Sequence, residues 1–146
     1  TYEALIRQYY PKDRVALGIL RTRMRYAGPI EAIFHAIVRR NLGCTHIIIG
    51  RDHAGVGKFY SPFAAQEIFS EFPDLGILPV FFGDVFKCRK CDSITTEKIC
   101  PHGDAFREDF SGTVIREMIL NKDPPFMMMR KEVLDVIMAQ LSPFVE

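Results

Sequence analysis

The sequence predicts an α/β domain built on a parallel sheet and carrying a metal-binding insertion. Three features predict it: short apolar runs alternate with segments of helical period, a glycine-rich loop follows the second run, and three of the four cysteines crowd into positions 88–100. The 146 residues, 48% hydrophobic and 25% charged, suit one ordinary globular domain, which sets aside disordered, collagen-like and coiled-coil readings.

The first apolar run, 15–20, ends at the basic stretch Arg21, Arg23 and Arg25 and reads as a strand. After Ala27-Gly28-Pro29, apolar residues at Ile30, Ile33, Phe34, Ile37 and Val38 mark one face of a helix; Pro29 suits its first turn and Gly43 its end. Residues 45–49 are rich in β-branched side chains and read as a central parallel strand, closed by Gly50. Ser61-Pro62 opens a helix expected to reach Phe72, where Pro73 stops it. A third strand over 77–82 contains Pro79, an awkward residue in a central strand. Ser111 caps a helix over 112–121, Pro124-Pro125 break it, and an amphipathic helix over 131–141 follows. Strands alternating with helices imply right-handed crossovers and a ligand crevice beyond the carboxyl ends of the strands. The loops 24–29, 50–57 and from Gly83 onward are therefore expected to converge.

Nineteen basic against eighteen acidic residues give a net charge of +1, which offers no global attraction to nucleic acid or to an anionic membrane. No apolar run approaches a membrane span, and the first ten residues lack the order of a signal peptide, so the expected compartment is the cytoplasm.

In the loop 50–57, glycines let main-chain N–H groups face an anion, and Arg51 adds a forked donor suited to oxyanions. A Walker A loop is excluded, since Val56 follows Gly55 and Lys58 precedes Phe59. A plain strand-to-helix turn is the alternative. His53 reads as a phosphate donor or general acid, or else as a structural hydrogen-bonding residue, while His35 and His46 read as structural. Cys88-x-x-Cys91 with Cys100-x-His102 offers three thiolates and an imidazole, the set of a closed structural zinc site. A reversible Cys88–Cys91 disulfide and a nucleic-acid-binding knuckle are the alternatives. Cys44 reads as a small buried residue. Ser111-Gly112-Thr113 with Arg116 places hydroxyls, free N–H groups and a guanidinium at a helix start, which suits a polyphosphate; the alternative is a simple cap followed by a surface arginine.

Met24-Arg25-Tyr26-Ala27-Gly28-Pro29, Gly43-Cys44-Thr45-His46, Gly50-Arg51-Asp52-His53-Ala54-Gly55 and Ser111-Gly112-Thr113-x-x-Arg116, in this order, resemble the motifs of the sulfate adenylyltransferase (ATP sulfurylase) family. The resemblance covers essentially the whole chain. It implies a Rossmann-like nucleotidyltransferase sheet, here partial, with a zinc-knuckle insertion where Cys88, Cys91, Cys100 and His102 stand. It also implies the reaction of ATP with sulfate to adenosine 5′-phosphosulfate and pyrophosphate, with Mg²⁺, by in-line attack of a sulfate oxygen on the α-phosphorus. By the same resemblance Arg51 and the Ala54 N–H contact the substrate anion, and Gly50, His53 and Gly55 share that loop, with Arg51 and His53 as its catalytic members. The main chain at Asp84-Val85 takes adenine, and Ser111, Gly112, Thr113 and Arg116 form the second phosphate motif.

Two departures stand out. Ile30 occupies a position where the family usually has arginine, and the family's Q-x-R-N and H-x-x-H motifs, which precede the segment matching Thr1, have no counterpart. The chain is therefore expected to be the C-terminal part of a longer enzyme. Its expected partition is a catalytic portion over 1–121, with the zinc insertion at about 86–104, and a small helical segment over 122–146. Its expected partners are the substrates, the N-terminal part of the enzyme and further copies of itself. A non-catalytic nucleotide- or oxyanion-binding module with a structural zinc site is the competing reading, and a zinc-knuckle interaction module is a third.

Overall fold

The computed structural model describes residues 1–53, 59–108, 112–123, 125, 128–140 and 142–144. In chain order these form α1 (Tyr2–Tyr9), α2 (Ile30–Asn41), β1 (His46–Ile49), α3 (Ala64–Glu67), β2 (Leu78–Phe81), β3 (Val85–Cys88), β4 (Ser93–Thr96), β5 (Arg107–Glu108), α4 (Gly112–Leu120) and α5 (Lys131–Met138). Backbone packing groups them into two units, Arg21–Asp84 and Thr1–Leu20 with Val85–Glu146.

In the unit Arg21–Asp84, α2 buries Ala32, Ile33 and Ala36 on one face. Its end is a Schellman turn: Gly43 N–H reaches Arg40 O at 2.9 Å, Cys44 N–H reaches Arg39 O at 3.0 Å, and Gly43 adopts φ +89°. That turn leaves Cys44 exposed, not buried as expected, because it stands at the surface end of the motif. In β1 the side chains alternate, with Ile47 and Ile49 buried and His46 and Ile48 exposed. It pairs in parallel with β2, His46 opposite Leu78 and Ile49 opposite Phe81. Leu78 N–H donates to Thr45 O and Phe82 N–H to Ile49 O, so by alternation the position of Pro79, which lacks an N–H, faces away from β1. This is how the strand tolerates a proline. Ala65, Phe69 and Ile77 complete the core on the α2 side of the sheet.

Two expected elements differ. Residues 15–20 form no strand: Ile19 is 91% exposed, and among the described residues no ladder pairs with this run, so apolar character alone does not extend the sheet. The parallel sheet of the described residues therefore has two strands, not three. The helix after Ser61-Pro62 begins only at Ala64 and tightens into a 3₁₀ turn over Ile68–Glu71, because Pro73 drives Phe72 out of helical geometry.

In the second unit, β4–β3–β5 is an antiparallel sheet that the sequence did not announce, with Val85 opposite Thr96, Cys88 opposite Ser93 and Cys88 opposite Arg107. Arg107 lies over the Phe86 ring at 4.3 Å and ion-pairs with Glu97 and Asp104 at 2.8 and 3.0 Å. Helices α1 and α5 meet where Tyr9 Oη donates to Glu132 and Arg130 stacks over the Tyr9 ring at 3.9 Å. Leu134 and Ile119 are buried. Among the described residues no helix is long and apolar enough to cross a membrane.

Candidate functional site

Glu31 organises the turn that precedes α2. Its buried carboxylate accepts hydrogen bonds from the N–H groups of Arg25 at 2.9 Å and Ala27 at 3.0 Å. The Arg25 bond, helped by Ala27, outweighs burial and holds the carboxyl below the ordinary range. Gly28, at φ +67°, completes this turn, and a Cβ there would stand 2.5 Å from the Tyr60 ring.

One helical turn after Glu31, His35 is buried with Nε2 3.6 Å from Glu31 Oε1. Its Nδ1 lies 3.2 Å from His53 Nε2, the rings meeting edge to face with centroids 5.4 Å apart. Burial pushes both imidazoles below their ordinary pKa; for His35 the Arg39 charge adds to this, and for His53 the charges of His35 and Arg39 do. Spacing alone reads His35 as a structural histidine. The contact with His53 was not legible, although Glu31 and His35, four apart on one helix, were a signal for a buried pair.

Arg51 follows Gly50, over which the space is open. Its Nη1 lies 3.1 Å from Asp84 Oδ1 and its Nε 3.5 Å from Asp52 Oδ2. Asp52 takes a left-handed conformation, φ +51°, and donates its N–H to Pro62 O at 2.8 Å. His53, Asp52, Gly28, Pro29, Tyr60 and Ala65 line one shallow depression. Within this unit, then, the 24–29 turn, the Gly50 loop and Asp84 are brought together. Ala54 and Gly55 lie outside the described residues. Val85 opens β3 with its side chain half exposed.

In the other unit, Gly112 and Thr113 form the first turn of α4, and Arg116 Nη2 donates to Thr113 Oγ1 at 3.3 Å. Ser111, the expected cap, lies outside the described residues.

Cys88, Cys91, Cys100 and His102 gather at the β3–β4 hairpin and the turn beyond it, all ligand atoms within 4.8 Å of one another. Cys91 Sγ is 3.2 Å from His102 Nδ1 and 3.8 Å from Cys100 Sγ, and Cys88 Sγ is 3.5 Å from His102 Nδ1. A tetrahedral zinc ion with ordinary bond lengths sets its ligands about 3.5–3.8 Å apart, so a donor set spanning 3.2 Å to at most 4.8 Å fits such an ion after side-chain shifts of about 1 Å or less. All four cysteines are free thiols, and Cys88 and Cys91 are not joined. Burial works against ionising Cys88, but the N–H groups of Cys91 and Lys90 and the side chains of Cys100 and His102 win, bringing it down to about 6. Cys91 is pushed up to about 11 by loss of hydration and by the neighbouring Cys88 and Cys100 sulfurs. One thiolate is thus favoured and a second is resisted, a balance that a bound cation reverses.

The family model for ATP-sulfurylase matches residues 1–140. The chain is 57% identical over 145 residues to a sulfate adenylyltransferase of Ignicoccus hospitalis and 56% identical over 146 residues to one of Cenarchaeum symbiosum, covering 99% of this chain and 38% of the relative in each case. It is 53% identical over 139 residues, 93% of this chain, to the sulfate adenylyltransferase of Carboxydothermus hydrogenoformans, of which it covers 36%. The chain thus spans little more than a third of the length of these curated relatives. A match over nearly its whole extent, carrying the Gly50 loop, the Gly112 turn and the Cys and His cluster together, places the chain in the ATP-sulfurylase family.

Proposed function

We propose that the chain carries the C-terminal catalytic portion, over 1–121, of a sulfate adenylyltransferase that interconverts ATP and sulfate with adenosine 5′-phosphosulfate and pyrophosphate. The observation that carries the reading is the grouping of Arg51, His53 and Asp84 at the exits of β1 and β2 in a member of this family. The two-stranded parallel crossover supports its assignment to a Rossmann-like nucleotidyltransferase sheet.

In this reading the protein orients reactants and stabilises charge, with no covalent intermediate. Arg51 and the main chain of Gly50, Ala54 and Gly55 hold the anion that attacks the α-phosphorus, and His53 supports that loop. The main chain of Asp84 and Val85 meets adenine. Ser111, Gly112, Thr113 and Arg116 hold ATP phosphates, with which Mg²⁺ enters. Cys88, Cys91, Cys100 and His102 hold a structural zinc ion, which fixes the hairpin of about 86–104 and, with four protein ligands, leaves no open position for substrate. Free thiols suit a reducing compartment such as the cytoplasm. The remaining substrate groups come from the part of the enzyme beyond this chain, in an assembly of several copies.

The test is sulfate-dependent pyrophosphate release from ATP. The 146-residue chain alone is expected to release none, and the preceding polypeptide, added as a separate fragment, is expected to restore a measurable part. Full activity of the isolated chain, with intact enzyme excluded by mass spectrometry, overturns this division of the site. Nucleotide binding without turnover by the intact polypeptide favours the non-catalytic module.

A further inference from the structure

Glu31, His35 and His53 form a line that begins at a buried carboxylate and ends at the Gly50 loop. Hydrogen positions along it follow from the charge at its buried end. A carboxylate 3.6 Å from His35 Nε2 favours a hydrogen on that nitrogen and opposes a lone pair there. In a neutral ring His35 Nδ1 is then bare and can only accept. The atom facing it at 3.2 Å is His53 Nε2, which must therefore carry the hydrogen the two rings share. This leaves Nδ1 of a neutral His53 as a lone pair.

We propose that Glu31 and His35 are positioning residues for His53, fixing its ring at the substrate loop as the Nε2–H tautomer through the shared hydrogen. The inference rests on the reading of the Gly50 loop as the anion site and deepens it. A neutral His53 serves that loop as an acceptor at Nδ1. It donates to an oxyanion only after taking up a proton, which burial, a charged His35 and Arg39 oppose and which Glu31 favours. The arrangement also ties two motifs together, since Glu31 grips the 24–29 turn through Arg25 and Ala27 while His35 grips the Gly50 loop. Neither Glu31 nor His35 need touch substrate.

Two measurements on an intact adenylyltransferase containing this sequence test it. In ¹⁵N-labelled protein near neutral pH, a through-hydrogen-bond coupling between the His53 Nε2–H and His35 Nδ1 is expected, weakened in Glu31→Gln. A hydrogen on His35 Nδ1 instead, or no coupling, overturns the relay even if no variant folds. In kinetics, His35→Leu is expected to lower kcat by about tenfold or more with little change in KM. His35→Asn, whose amide oxygen can accept where Nδ1 did, recovers part of that loss. Equal losses in Leu and Asn reduce His35 to packing and overturn its positioning role. A clear coupling combined with normal turnover in His53→Ala removes His53 from the chemistry of the loop and overturns the positioning role, whereas normal turnover in Arg51→Ala overturns the anion-loop reading itself, an outcome separate from the loss of the hydrogen bond.

Discussion

Arg51 and Asp84 are joined by an ion pair of 3.1 Å, linking the second residue after β1 to the third after β2. Both side chains are more than a third exposed, so the pair adds little to stability, and an arriving oxyanion competes with Asp84 for the guanidinium. The fork has five N–H donors, enough to keep the carboxylate and accept an anion at the same time. Arg51 is thus aimed by a partner that contributes little to the fold.

Arg51→Ala in the intact enzyme is therefore expected to leave the melting temperature nearly unchanged and to cost on the order of 10²-fold in turnover. Arg51→Lys restores only a fraction, since an ammonium cannot hold Asp84 and an anion in one plane. Steady-state kinetics beside thermal melts check this, and near-normal kcat in Arg51→Ala makes the residue a surface charge.

Acidification is expected to weaken the unit Arg21–Asp84. Glu31, His35 and His53 all have depressed values in the folded protein, so each binds its proton more readily when unfolded. Their contribution is complete above the unfolded values, about 6.5 for the histidines and 4.5 for Glu31, and is lost as pH falls through the folded ones. Melting temperatures should fall between about pH 7.5 and about pH 5, and His35→Leu should flatten part of that slope. Parallel slopes in the two proteins would sink this account.

Zinc added to metal-free protein near neutral pH should displace at least the proton of Cys91, which is held at about 11, while Cys88, at about 6, is already largely ionised. A titration in weak buffer with a pH indicator reads the release. Binding of zinc with no proton released contradicts the assigned ligand set. Chelation should lower stability, and Cys88→Ser, which changes a fully buried ligand, should mimic it.

Gly28→Ala should destabilise the protein by about 1–2 kcal/mol, chiefly from left-handed strain, with a smaller part from pushing the exposed Tyr60 ring aside. Chemical denaturation of Gly28→Ala, Tyr60→Ala and the double variant separates the two causes. Removing the ring relieves the clash and leaves the strain, so full recovery in the double variant would show that backbone conformation is not limiting.

Much of the unit Arg21–Asp84 was legible because its signals are local: the α2 stripe, the Gly43 stop and the β-branched run of β1 each declare themselves within a few residues. Residues 15–20 have the composition of a strand, but composition does not supply a ladder partner. The β3–β4–β5 sheet hid behind charged and polar residues, since its hairpin is organised around Cys88 and the Arg107 pairs with little apolar alternation. In the candidate site, the side chains of Arg51 and His53 were legible from motif chemistry, whereas Asp84 entered only through its main chain and its side-chain pair with Arg51 was not read. The groups that hold these side chains were not legible. The meeting of His35 with His53 joins positions 18 apart, a distance no periodicity spans.

The two sheets also differ in how the chain must search for them. Cys88 and Ser93 are neighbours across a tight hairpin, whereas His46 meets Leu78 from 32 positions away along the chain. Hairpins close in about 1–10 μs, while pairing over such a separation must first overcome a larger entropy of closure. The thiol-bearing hairpin is therefore expected to take shape early in refolding and the β1–β2 pair late. In stopped-flow refolding with cobalt as a spectroscopic stand-in for zinc, thiolate-to-cobalt absorption should rise before the His35–His53 contact forms, and the opposite order would reverse this sequence of events.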